Sequence, residues 1–156
     1  MHLVWPLRAV VAGAAGTAVL TLSYEAERRL LHSTRALDYD DSLVPGRIVA
    51  GILHLDNVTD TGQAKLGIAL RRGYGSLFGL WHGVLRQAAG EPWAAALFAT
   101  TLLTATFTAF PLLGKTPPPW EWPRDVLLTA LGTHVAYAVA VAGIDDVLSA
   151  SRPDPF

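Results

Sequence analysis

His82 and His134 stand inside otherwise apolar stretches of the chain, and an ionisable side chain at membrane depth is a functional candidate before any other residue. Counted from Gly73 and Val126, where those stretches begin, they lie nine and eight residues in. At the helical rise both are then about 12 to 14 Å deep. Two neutral imidazoles at one level on different helices are the axial ligands of a bis-histidine haem b, with Gly79, Gly83 and Gly132 leaving room for the macrocycle. The chemistry would be electron transfer. The plainer expectation is that each imidazole bonds a Thr hydroxyl or a carbonyl inside a helical bundle, so that no cofactor is required. A third use is a proton or solute conduit. There His134 supplies a group that ordinarily titrates near neutrality, Asp145 or Glu25 stands at the mouths, and Thr100, Thr104 and Thr108 form a hydroxyl stripe.

Other polar residues invite simpler readings. Arg86 sits near the end of its segment, where it can snorkel or pair with Asp145 or Asp146 and tie two helices together. Asp38, Asp40 and Asp41 have the carboxylates for a divalent cation, but three acids before a short helix read as caps and solvated surface, and no metal is assigned to them. The residue three before His32 is Arg29, so the Glu-x-x-His spacing of a di-iron bundle is missing. Gly-x-Ser-x-Gly, His-Glu-x-x-His and a phosphate-cradling glycine loop are missing too, and with them the common nucleophile and metal-site signatures. The chain has no cysteine, which removes thiolate chemistry. A formal charge of −1 offers no basic field for nucleic acid. A non-enzymatic role is expected.

The elements that must position these residues are membrane helices. Half of the 156 residues are hydrophobic (51%) and only 16% are charged, with a mean hydropathy of +0.34, too apolar for an ordinary soluble domain. Because hydrocarbon cannot satisfy backbone N–H and C=O groups, spans of roughly 20 apolar residues must be helical. Four segments qualify, at about 3–22, 73–90, 93–113 and 126–144. The first is longer than a signal-peptide core and runs straight into a charged segment, so it reads as a retained span, with Arg8 snorkelling to the headgroups. The last stops at Asp145. The expectation is an all-α, polytopic membrane protein, a single domain built as a four-transmembrane-helix bundle.

Between the first two spans, residues 23–72 read as a long hydrophilic loop containing a short amphipathic helix from Val44 to Leu55, with Pro45 in its first turn. The second helix is expected to begin before the membrane, with Asp60 as N-cap and Gln63 at N3. Helix contact without a hydrophobic drive relies on small residues at four-residue spacing. Gly75, Gly79 and Gly83 supply them on the second span, Ala9, Gly13 and Thr17 on the first, and Gly132, Ala136 and Ala140 on the fourth. Trp120 and Trp122 suit the interface. The same stripes can serve self-association, so the expected partners are the lipid bilayer and either a second copy or another membrane protein.

One stretch is more specific. Phe110-Pro111-Leu112-Leu113-Gly114-Lys115-Thr116-Pro117-Pro118, a Trp/Pro loop, and then Gly132-Thr133-His134 in the last span resemble the YagU-like family of small bacterial inner-membrane proteins, over Trp93 to Leu148. The resemblance implies a multi-pass protein of the bacterial plasma (inner) membrane, with Pro111, Gly114, Pro117, Pro118 and His134 as family positions. His82 does not carry over. No settled activity comes with the family. Its basic ends imply cytoplasmic termini, whereas here nine Lys or Arg lie in the two loops on one side and three on the side of the termini. That count favours exported termini, and both orientations stay open.

Overall fold

The computed structural model describes residues 4–30, 44–55 and 59–150, and every regular element among them is helical. These are α1 (Trp5–Leu30), α2 (Val44–Ile52), α3 (Asp60–Ala89), α4 (Trp93–Gly114) and α5 (Arg124–Ala150), with a 3-10 turn at Pro119–Glu121 before α5. The four long helices close a ring in which α1 and α4 each touch both α3 and α5, and α2 packs against α3 and α4. Among the described residues three helices are long and apolar enough to cross a membrane: Trp5–Tyr24 of α1, α4 and α5. Helix α3 is longer than any of them but falls short in hydropathy, because His82, Arg86 and Gln87 dilute its apolar half.

Several boundaries differ from expectation, each for a local reason. Residues 23–72 do not form one long loop: α1 runs on to Leu30, and α3 starts at Asp60, twelve residues before the segment ends. The N-cap of α3 is Thr59 rather than Asp60. Its extended backbone lets the hydroxyl accept from Gly62 N–H at 3.2 Å, which moves Gln63 one place beyond the reach of a capping box. Pro111 lies inside α4, which runs one residue past the expected span to Gly114. A proline in a last turn forfeits a single backbone bond, and the helix ends three residues later, with Lys115 in the left-handed conformation (φ 53°). Helix α5 passes through Asp145 and Asp146 to Ala150, because Asp145 faces the protein interior rather than lipid.

The closest helix contact is backbone on backbone. A Cβ built at Gly13 would meet the Gly75 carbonyl oxygen at 2.6 Å and the Gly79 Cα at 2.9 Å, so α1 and α3 approach as only glycines permit. Gly83 rests on Ala9 and Trp5, so the small-residue stripes of these two helices meet each other. On α5 the expected stripe is not at the contact: Gly132 meets nothing within 4 Å and is exposed, while Ala130, Thr133, Tyr137 and Val141 turn inward. The core lies between α1, α4 and α5, where Phe98 packs with Leu102, Tyr137, Val141, Ala12 and Leu20. A second cluster joins Val44 of α2 to Trp122 and Ala130, beside Phe107 and Phe110. Trp122 is therefore buried, its indole N–H donating to the Pro117 carbonyl at 2.6 Å, and of these two Trp120 alone is exposed as an interfacial tryptophan would be. Gly114 is buried because a Cβ there would meet the Val44 side chain at 2.6 Å.

Candidate functional site

Four charged residues of the helices, Arg8, Arg86, Asp145 and Asp146, gather at one end of the bundle, where α1 begins and α3 and α5 finish. Asp145 is fully buried and holds two guanidinium groups: Arg8 Nε donates to Oδ1 at 2.5 Å, and Arg86 Nη1 donates to Oδ2 at 2.7 Å. Arg86 also pairs with the exposed Asp146. Two arginines and two aspartates make this cluster formally neutral, a condition that taking charges out of water imposes. The expected tie between Arg86 and the end of the last helix is present. Arg8 does not snorkel to headgroups but joins the same carboxylate, so that α1, α3 and α5 meet on one side chain.

One turn before Arg86, the buried ring of His82 carries a second polar contact. Its Nε2 donates to Glu91 Oε1 at 2.8 Å, while Glu91 Oε2 accepts the Ala95 backbone N–H at 3.2 Å and so caps α4. Phe98 presents an edge to the imidazole with ring centroids 5.4 Å apart. The other ring nitrogen, Nδ1, is buried with no hydrogen-bond partner. With Glu91 in the turn before α4, the charged or ionisable groups at this end come from α1, α3, α5 and the α3–α4 connection.

His134 belongs to a different level. Its Nδ1–H donates to the Ala130 carbonyl at 2.6 Å, which leaves Nε2 to accept from the Thr106 hydroxyl at 3.0 Å. Phe98 beside His82 and Thr106 beside His134 are eight residues apart on α4, about 12 Å along its axis. The two histidines therefore do not share a depth, because α3 and α5 begin at Asp60 and Arg124 rather than at Gly73 and Val126 and pack with their own register. Both Nε2 atoms already have protein partners. This donor set does not fit an iron between them.

A carbonyl and a hydroxyl satisfy the His134 imidazole, as its packing role requires, and truncation exposes the cost. His134→Ala leaves the buried Thr106 hydroxyl without its acceptor and lowers stability by about 2 kcal/mol, which a depressed melting temperature in detergent would register.

The threonine stripe faces away from the interior. Thr100, Thr104 and Thr108 are exposed on α4; Thr100 donates to the Ala96 carbonyl at 2.8 Å and Thr108 to the Thr104 carbonyl at 2.7 Å. It does not line a conduit within one copy of the chain. Glu25 lies on α1 with its side chain undescribed, and Asp38, Asp40 and Asp41 lie outside the described residues. Among the described residues no three His, Asp or Glu side chains gather as a metal site would need.

Sequence reasoning missed Arg8 and Glu91 as site members. The signal for Arg8 was Ala12 and Gly16, four and eight residues on, whose face α5 covers through Tyr137 and Val141. Glu91 stands next to a proline at a helix start, where its capping role is legible but its reach back to His82 is not. No family model matches this chain, and neither a curated protein nor a solved structure is found similar to it.

Proposed function

We propose that the chain is a four-span protein of the bacterial plasma membrane, related to the YagU-like family, that acts without catalysis by assembling with a second copy or with another membrane protein. The observation that carries this reading is the direction of its polar groups. Arg8, His82, Arg86 and Asp145 turn inward onto one another or Glu91, which ties the helices together, while Leu77, Trp81 and Val84 on α3 are exposed. The second half of α3, with Arg86 paired toward the interior and Leu77, Trp81 and Val84 outside, suits lipid despite modest hydropathy. The turn from Phe110 to Pro118, with Gly132-Thr133-His134 after it, supports the family relation.

Because the chain lacks cysteine, single introduced cysteines report unambiguously. Lys65→Cys and Gln87→Cys, both at exposed positions toward opposite ends of α3, are expected to label from opposite sides of intact vesicles. Labelling from the same side would remove α3 from the membrane and overturn the four-span arrangement; the pattern also orients the termini. For assembly, Gly132→Cys and Val139→Cys on the open face of α5 are expected to give a discrete cross-linked species in native membranes. A protein that stays monomeric and uncross-linked there would defeat the assembly reading.

A further inference from the structure

At the end away from the charge cluster, the bundle holds a cavity of about 260 Å³. Its floor is made by Phe78, Leu102 and Tyr137 near mid-bundle, and its far end by Leu70 and Phe110, with Ile48 and Val49 of α2 beside them. Leu70 and Phe78 are eight residues apart on α3, as are Leu102 and Phe110 on α4, so the cavity is a slot about 12 Å long that follows the helix axes. Ala105 both lines it and is exposed, which opens the slot sideways beside α4, a helix of membrane-spanning length and composition.

The polar groups of Tyr137, His134 and Thr106 on its wall are engaged with protein. Tyr137 donates to the Gly75 carbonyl at 2.6 Å, and His134 and Thr106 bond one another. The slot therefore offers an occupant a mostly apolar surface. An apolar cavity favours a hydrocarbon occupant, and inside a bilayer the hydrocarbon at a lateral opening is a lipid chain. Tyr24 and Tyr74 line it as well, side chains with an apolar ring and a polar tip of the kind found where acyl chains meet headgroups.

We infer that this slot is a binding site for one acyl chain of a membrane phospholipid, which enters sideways past Ala105. The inference rests on the membrane reading above. The test uses the full chain in lipid nanodiscs that contain a phospholipid with a photoactivatable diazirine in mid-acyl chain, followed by mapping of labelled residues. A parallel sample carries the same diazirine on a free fatty acid. The expected result is phospholipid label on the wall at Phe78 and Leu102, in addition to label on outward residues such as Leu112 and Val139. Ala105→Trp, an exposed substitution at the opening, should cut wall labelling about tenfold while outward labelling persists. Ala109→Trp, deeper in the lining, should do the same.

Outward label without wall label would overturn the slot and leave the membrane reading standing. Wall labelling that neither tryptophan reduces, or that only the free fatty acid produces, would also overturn it. Absence of outward label would overturn the membrane reading and the slot together.

Discussion

Asp145→Leu is expected to cost about 3 to 5 kcal/mol of unfolding free energy in detergent. One carboxylate holds Arg8 and Arg86, both largely enclosed, and its removal strands the Arg8 guanidinium and leaves Arg86 with only the exposed Asp146. Arg86→Leu should cost less, about 1 to 3 kcal/mol, since Asp145 keeps Arg8 and the exposed Asp146 returns to solvent. The informative variant is the triple replacement of Arg8, Arg86 and Asp145 by Leu. If the cluster acts by charge pairing, nothing unpaired remains, and the triple variant should recover much of what Asp145→Leu loses. Additive losses in reversible unfolding would show that Asp145 matters for its packing and not its charge.

Gly79→Leu is the other substitution with a large expected effect. A Cβ there would run into the Ala9 carbonyl oxygen and lie 2.7 Å from the Gly13 Cα. These are backbone atoms, which cannot rotate aside, so α1 and α3 must separate along their length. The loss should reach about 3 kcal/mol or more, with the Tyr137 bond to the Gly75 carbonyl disturbed as well. Gly132→Ala is the matched control: nothing lies within 4 Å, and the gain in helix propensity should leave stability unchanged or raised by about 0.5 to 1 kcal/mol. Equal melting temperatures for Gly79→Leu and the unmodified protein would contradict the close approach of these helices.

The helical class, the positions of three apolar spans and the small-residue faces of α1 and α3 were legible before the fold, because each is written in local composition or in a four-residue spacing; that those two faces meet was not. The bond from Arg86 to the last helix was legible too. An arginine near a helix end and two aspartates at the same level have few other partners in lipid. The level of the two histidines was not legible. Depth counted from where apolar residues begin presumes that helices start there, and α3 begins thirteen residues earlier than Gly73. Direction was hidden as well: an exposed threonine stripe and an inward one have the same spacing, and whichever neighbours fill the interior decide between them.

What the residues determined alone is therefore periodic and local: helices, their apolar lengths, their smooth faces and the need for every buried charge to find a partner. Only the tertiary structure decided which partner each one takes. Asp145 gathers arginines from helices 137 and 59 residues away in sequence, and His82 meets Glu91 across a turn. The slot between α1, α2, α3, α4 and α5 exists only once all five are packed. Cavities and charge clusters are properties of the space between elements, set by the register in which helices meet, and a one-dimensional pattern specifies faces but not registers.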